Sequence, residues 1–534
     1  MGLKFAHLYS APEVNPVNRK ARSIPFFNPV NVYGRVFFFS WFGFMIAFWA
    51  WYTFPPLLTL TIREDLKLTK LEVANSNIVS LCATLLVRLV AGPLCDQFGS
   101  RKVFGGLLLL GAIPLGLAPL VQNATGLYVS RFFIGILGGT FVPCQVWSTG
   151  FFDKNIVGTA NALTGGFGNA GGGITYFIMP VVFDSFVKRG FTARQSWRLT
   201  FIVPLIMVLF TGVCLLLFCP DTPTGAWKDR HVQAKEALAA HGVKDEVVVV
   251  ISGAITDRFS HGPATTTPDD AEKAAGSDRD DDDKKSGQHT PPPSGTVSPP
   301  TFDHEAHMSR HEMLETAQGE VVVKPTAREA LRVAASPQTL FLVLMYMNSF
   351  GGELAINSIL ASYYFKNFPT MTQTQAANWA AMFGFLNFAT RPLGGVVSDL
   401  LYNAFGRSLW LKKGWITVCG LVTGVLLILI GRLDPHETSM MFGLVALMAI
   451  FLEAGNGANF SLVPHVHPHA NGVLSGLTGA GGNMGGVIFA VIFRFMDHGS
   501  NYAKAFWVIG CIHVAVSLGV SWIPPLPKGQ IGGH

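Results

Sequence analysis

The 534-residue chain is 49% hydrophobic and only 13% charged, with a formal net charge of +6 and a mean hydropathy of +0.38. Soluble domains carry roughly 25% charged residues, so this composition excludes an ordinary soluble domain and points to a polytopic membrane bundle. The basic excess sits in short flanks such as Arg19, Lys20 and Arg22, Arg101 and Lys102, and Lys412 and Lys413, a bias that orients membrane spans and calls for no nucleic acid.

Residues 1–35 form a polar, basic, proline-bearing tail with no short apolar core of a signal peptide. Apolar windows of about 20 residues, the length that crosses a bilayer, follow at 36–59, 74–95, 103–121, 127–150, 158–182 and 199–219, making an N-terminal half over 36–220. Residues 221–336 are rich in Asp, Lys, Ser, Thr and Pro, including Asp280–Lys285 and Pro291–Pro293, and are expected to be a mostly disordered insert. A second set of windows lies at 337–361, 376–398, 413–431, 439–462, 472–494 and 503–524, a C-terminal half followed by a tail over 525–534. The expectation is an all-α membrane protein of twelve transmembrane helices in two six-helix pseudo-symmetric halves. An even number of spans puts both termini on one side. The basic residues 101–102, 407 and 412–413, with the insert, make that side the cytosol, against a dissenting loop of Lys188, Arg189 and Arg194. Asn123-Ala124-Thr125 then lies in an external turn as a glycosylation acceptor. The seven cysteines sit in or at the ends of apolar runs and read as small buried hydrophobes.

Two arginines interrupt the apolar pattern. Arg88 lies in the run 81–92 and Arg391 in 383–397, each followed eight residues later by an aspartate, Asp96 and Asp399. An arginine near the centre of a membrane helix costs about 3 kcal/mol on insertion scales, so such residues face a cavity and usually act there. Neither run supplies a carboxylate within a turn of its arginine, and the missing counter-charge reads as the ligand, a small anion. Glycine marks a second repeated feature. The fifth span contains Gly165 to Gly173 around Asn169, with Gly166, Gly168, Gly171 and Gly172; the eleventh contains Gly479 to Gly486 around Asn483, with Gly481, Gly482 and Gly485. Glycine costs helix propensity but lets membrane helices approach and bend against each other, so these stretches fit moving contacts. Gly166, Gly168 and Gly171 also spell G-x-G-x-x-G, but no strand or soluble βαβ unit accompanies them, so a dinucleotide loop is excluded.

The segment Gly92-Pro93-Leu94-Cys95-Asp96-Gln97-Phe98-Gly99-Ser100-Arg101-Lys102 resembles the cytosolic loop motif of the major facilitator superfamily. In that motif an aspartate caps a helix N-terminus and basic residues bind the adjacent helix end. This makes Asp96, Gly99 and Arg101 a gate loop, with Asp399 as its degraded second copy. The paired arginines and the two Gly/Asn stretches, over both membrane halves, resemble the nitrate/nitrite porter family of that superfamily, and the long central insert with a short C-terminal tail resembles its fungal branch. The resemblance implies an anion clamped between Arg88 and Arg391, signature asparagines at Asn169 and Asn483, and pocket aromatics at Tyr346, Phe350 and Phe141. It also implies uptake of nitrate and nitrite at a plasma membrane, driven by protons, with no cofactor.

Physical chemistry is compatible with that expectation. Nitrate is planar, monovalent and weakly hydrated, and a guanidinium fork offers coplanar paired donors that lysine lacks. Moving one anion into a negative cell interior costs about 2.3 kcal/mol per 100 mV, so a cation must accompany it. Glu353 and Glu453 are the interior carboxylates considered as proton carriers, either of which can instead be a structural partner of Arg391, and a route in which protons ride with the anion is equally open. His465, His467 and His469 read as a solvated turn before they read as a metal site. The insert offers Ser and Thr for a regulatory kinase or partner, and lipid surrounds the bundle. An enzyme is disfavoured because no nucleophile and base pair or metal constellation is present. The rivals are an importer of phosphate or organic anions and a non-transporting nitrate sensor.

Overall fold

The computed structural model describes residues 5–58, 61–229, 305–306, 308, 327–371, 373–496 and 501–528. Among them run twelve long helices: α1 (Val32–Trp51), α2 (Lys70–Phe98), α3 (Ser100–Leu117), α4 (Ala124–Phe151), α5 (Val157–Lys188), α6 (Ala193–Phe218), α7 (Pro337–Asn367), α8 (Gln373–Ala404), α9 (Leu409–Leu433), α10 (Thr438–Leu462), α11 (Asn471–Phe495) and α12 (Tyr502–Gly519). Eleven are long and apolar enough to cross a membrane, and α8 is of equal length but carries Asn387, Thr390, Arg391 and Asp399. Each falls on one of the sequence windows, extended where capping residues lie outside the apolar run. Thr69 and Glu72 form a capping box that starts α2 before its hydrophobic stretch, and Ser336 caps α7 with Pro337 in the first turn. Helix α4 tightens to a 3-10 turn over Gly135–Thr140. Leu86, Val90, Ile113, Phe132, Phe133, Ile206 and Phe210 point outward, exposed, as lipid-facing residues of a membrane bundle do. All seven cysteines are free thiols.

The helices pair as two halves, α1–α6 and α7–α12, which meet chiefly where α2 packs on α11 and α5 packs on α8. The second helix of each half thus lies against the fifth of the other. Glycine makes these crossings close: a Cβ on Gly92 would fall 2.4 Å from the Gly472 carbonyl oxygen, and one on Gly395 would fall 2.7 Å from that of Gly158. The named glycines of α5 and α11 mostly serve their own half. Gly168 and Gly171 abut Phe44 and the Met45 carbonyl, and Gly172 abuts Tyr52; Gly481, Gly482 and Gly485 abut Val343, Tyr346 with Phe350, and the Met347 carbonyl. Gly166 alone of the seven faces across, onto Pro392.

At the face that carries the termini, each half caps a helix of the other. The Asp96 carboxylate accepts from the backbone nitrogens of Gly472 and Val473, both at 2.9 Å, at the start of α11. Asp399 accepts from Thr159 N at 2.6 Å and Oγ1 at 2.9 Å at the start of α5, and Lys412 donates to it at 2.7 Å. Arg101 donates to the carbonyls of Leu216 and Cys219 at 3.1 and 2.7 Å, closing the end of α6. Gly99 turns α2 into α3 at φ +89°, where the Trp227 side chain covers it and its indole donates to the Asp96 carbonyl at 3.0 Å. The N-terminal segment folds onto the same face, with Ala21 N bound to Phe151 O and Asp153 N to Ala21 O, both at 2.9 Å. Two insert residues join it: Glu305 pairs with Arg19 at 2.7 Å and Ala306 N donates to Val14 O at 3.0 Å. The disorder expected of the 221–336 insert falls mostly on residues 230–304, 307 and 309–326, which lie outside the described residues.

Candidate functional site

Arg88 and Arg391 are both fully buried, at 0% and 1% exposure, and each reaches toward the half it does not belong to. Arg88, on α2, donates through Nε to the Gly138 carbonyl at 3.0 Å and through Nη1 to the Gly479 carbonyl of α11 at 2.9 Å. Its Nη2 has no partner. Arg391, on α8 and directly before Pro392, which lies inside the helix, donates through Nη2 to the Tyr346 hydroxyl at 2.8 Å. Its Nη1 lies 3.8 Å from Glu353 Oε2, too far for a hydrogen bond, and is likewise unpartnered. A Cβ on Gly165 of α5 would come within 3.0 Å of Arg391 Nε, and one on Gly479 within 3.2 Å of Arg88 Cδ; at these two positions glycine is what admits the arginine across the boundary.

Three aromatic rings link the two guanidinium groups. Phe141, Tyr346 and Phe350 lie nearly parallel, with interplanar angles of 12°, 10° and 9° and centroid separations of 6.0, 6.3 and 5.1 Å for the pairs 141–346, 141–350 and 346–350. The Arg88 carbon Cζ lies 4.9 Å from the Phe141 centroid and 5.2 Å from that of Phe350; for Arg391 these distances are 5.6 and 5.7 Å. Both cations therefore address the same two rings. Phe460 seals the group edge-on against Phe141 and Tyr346, at 4.8 and 5.0 Å.

Two carboxylates adjoin Arg391. Glu353 of α7 accepts from Asn387 and from Asn456 at 2.6 Å, and Glu453 of α10 accepts from Thr390; both are buried. The centre thus brings together two guanidinium groups and two carboxyl groups, with Glu353 the nearer to Arg391. Asn169 is buried with neither side-chain atom bonded, while Asn483 bonds only its own helix, at Gly479 O, 3.3 Å. Each lies one turn beyond the glycine that meets an arginine, Gly165 or Gly479, so both asparagines share the arginine neighbourhood. The histidine string separates: His465 is buried beside Tyr402 and His467 is bonded with Ser336 Oγ at 3.0 Å. Asn123 spends its side-chain oxygen on capping α4 at Gly126 N, 2.8 Å.

Sequence reasoning missed Phe460, Gln145, Asn387 and Asn456. Phe460 left a signal: Gly457-Ala458-Asn459-Phe460 of α10 repeats Gly138-Gly139-Thr140-Phe141 of α4. Gln145, whose Nε2 lies near Gly165 and whose Oε1 is unpartnered, is one turn past Phe141 and left none.

Comparison with known proteins agrees with this architecture. The sequence model of the Major Facilitator Superfamily matches residues 40–276. Elsinochrome transporter 1 of Elsinoe fawcettii is 35% identical over 99% of this chain and 100% of its own length. High affinity nitrate transporter 2.5 of Arabidopsis thaliana is 29% identical over 94% of this chain and 82% of its own, and the nitrate/nitrite transporter NrtP of Nostoc punctiforme is 27% identical over 87% of each. Among solved structures, the fucose:proton symporter of E. coli superposes with a TM-score of 0.54 at 14% identity, over 90% of this chain and 97% of that one. With its length matched end to end by one such transporter and nine-tenths matched by others, this multi-pass membrane protein belongs to the major facilitator superfamily, in its nitrate/nitrite porter family.

Proposed function

We propose that the chain imports nitrate, and nitrite with it, across a plasma membrane by rocker-switch alternating access, with both termini in the cytosol. The observation that carries this reading is the pair of unpartnered donors: Arg88 Nη2 and Arg391 Nη1, one from each half, both fully buried and both over the same aromatic rings. A planar monovalent oxyanion accepts from both, with Phe141, Tyr346 and Phe350 as flat walls and Asn169 and Asn483 as neutral donors. Sulfate and phosphate are disfavoured by the greater cost of drying them. The glycine-rich faces of α5 and α11 are the surfaces on which α1 and α7 shift, and Asp96, Gly99, Arg101 and Asp399 are the cytosolic gate that opens once the anion is bound.

Uptake against an inside-negative potential is proton-coupled. Glu353 and Glu453 are the proton sites in this reading, because both are enclosed and held mainly by neutral Asn and Thr donors beside Arg391. The nitrate transporters among the relatives support the substrate. A second reading comes from the 35% identical relative, named for elsinochrome. The test is thermal stabilisation of the purified protein by nitrate, nitrite, chlorate, phosphate, carboxylates and elsinochrome, followed by flux in proteoliposomes under a proton gradient. Nitrate and nitrite should stabilise and move. Stronger stabilisation by phosphate, a carboxylate or elsinochrome overturns the substrate, and nitrate binding without flux makes the protein a sensor.

A further inference from the structure

A third arginine lies inside the bundle with no carboxylate paired to it among the described residues. Arg131 of α4 is 4% exposed. It donates through Nη1 to Ser76 Oγ at 3.1 Å and to Asn77 Oδ1 at 2.6 Å, both on the first turns of α2. Among the described residues its hydrogen bonds are made by Nη1 alone, leaving Nε and Nη2 without an acceptor there. Two neutral acceptors orient a guanidinium without neutralising it, and a buried arginine so held retains its full charge and a free edge of donors.

The position of this edge is set by the helix. Arg131 and Gly138, the residue whose carbonyl accepts from Arg88, are seven residues apart and so lie near one face of α4, about 12 Å apart along its axis given the 3-10 stretch between them. The residues after Arg131, Phe132 and Phe133, face outward at 39% and 49% exposure. Arg131 is therefore on the inward face, between the arginine pair and the end of the bundle opposite the termini. Between the two levels α4 lies tight on α2, where a Cβ on Gly135 or Gly138 would strike Ala83 or Thr84 at 2.7 or 2.5 Å.

The other half contributes a cation to the same turns of α2. Arg494, near the end of α11, donates to Asn75 Oδ1 at 2.9 Å, again to a neutral acceptor and again with no carboxylate among the described residues. Asn75, Ser76 and Asn77 thus hold one arginine from each half. This differs in kind from the terminal face, where the two halves are joined through Asp96 and Asp399. Positive potential unbalanced by carboxylates attracts anions and raises their local concentration.

We propose that Arg131, with Arg494 across the boundary between halves, forms a second binding station for a small monovalent anion, which the substrate occupies before reaching the Arg88–Arg391 pair. The inference rests on the anion reading above and adds a site to it. An incoming anion meets the free edge of Arg131, exchanges its water for those donors, and then moves inward to a pair of guanidinium groups in place of one.

The experiment uses the full-length wild-type protein crystallised with bromide, a heavy monovalent anion located by its anomalous signal. Two peaks are expected, one between Arg88 and Arg391 and one within hydrogen-bond distance of Arg131 Nε or Nη2. A central peak with none at Arg131 overturns this inference; a peak at Arg131 with none at the centre supports it and overturns the central clamp, so the two failures are distinguishable. In proteoliposomes R131Q, which removes the charge and keeps a polar side chain, should raise the KM for nitrate about tenfold, leave nitrate-induced thermal stabilisation at the centre within about twofold, and flatten the dependence of KM on ionic strength. R494Q should do the same to a smaller degree. A folded R131Q protein with wild-type KM and salt dependence overturns the station even if a bromide peak is present, because the ion there is then adventitious.

Discussion

At the scale of single residues, the arginine pair acts through geometry as well as charge. Each guanidinium commits some donors to the protein, Arg88 to two carbonyls and Arg391 to Tyr346, and leaves one terminal nitrogen free. A lysine at either position keeps the charge but cannot both hold its anchor and present a second donor in plane. Arg88→Lys and Arg391→Lys should fold and lose about tenfold or more in nitrate affinity, equivalent to the roughly 1.5–3 kcal/mol of a charge-assisted hydrogen bond, measured by nitrate-dependent thermal shift. Wild-type affinity in both would rule out the clamp. Asn169 makes no side-chain hydrogen bond, so Asn169→Ala should leave the melting temperature nearly unchanged while lowering transport, and Asn483→Ala should follow it. Normal flux in both would make them packing residues. How much of this site was legible follows from cost. Buried arginines are expensive enough to stand out of an apolar run, and the asparagines stand out of a run of glycines. Among the partners, Glu353 was legible as an interior carboxylate able to pair with Arg391, whereas Gly138 and Gly479 were not, because they act through carbonyls, which any residue possesses and only close helix packing turns toward a guanidinium.

At the scale of elements, the terminal face is held by carboxylates placed at helix starts, where the exposed backbone nitrogens and the helix dipole favour negative charge. Such a cap contributes about 1 kcal/mol, and two act together here. Asp96→Asn with Asp399→Asn should shift the population open at this face by about tenfold or more, seen as longer distances between spin labels placed across it; an unchanged distance distribution would show that other contacts hold the face shut. At the opposite face the short helix Thr61–Asp65 is tied to α6. Burial works to raise the Asp65 carboxyl, but hydrogen bonds from Arg198 at 2.8 Å and Trp197 at 3.0 Å, with the charges of Arg198 and Arg194, hold it below its ordinary value. A lowered folded value means stability that is present above the unfolded carboxylate range and lost as pH falls through the folded value. Asp65→Asn should lower the melting temperature at neutral pH, with the difference from wild type shrinking on acidification; a difference constant with pH would refute the assignment. Helix positions were read well from hydropathy, whereas helix ends were not, because caps such as Thr69 with Glu72 and Ser336 are polar and lie outside the apolar windows.

At the scale of the whole molecule, the insert is anchored at two points, near its start and again at 305–306, which a reading of composition alone could not detect. Trp227 rests on Gly99 and bonds the Asp96 carbonyl, and Glu305 and Ala306 join the N-terminal segment. A chain lacking residues 230–304, joined by a flexible linker of about 20 residues that spans the gap, should bind and transport nitrate as the wild type does. Removing 225–325 instead also deletes both anchors. If the shorter deletion reaches the membrane folded and binds nitrate but cannot move it, the insert belongs to the gating machinery and is more than a tether.

The unpartnered nitrogens of Arg88 and Arg391 also bear on the return stroke. Because one cation rides on each half, the halves come together at the centre against like-charge repulsion unless an anion lies between them. In the proposed mechanism the loaded carrier should cross easily and the unloaded one reluctantly. Net accumulation should then be limited by the homeward swing, nitrate on the far side should hasten it, and one-for-one swapping of labelled for unlabelled nitrate should outrun net uptake. Under the proposed proton coupling the same repulsion would guard the gradient, since a carrier that resists crossing unloaded would seldom squander a proton on an idle cycle.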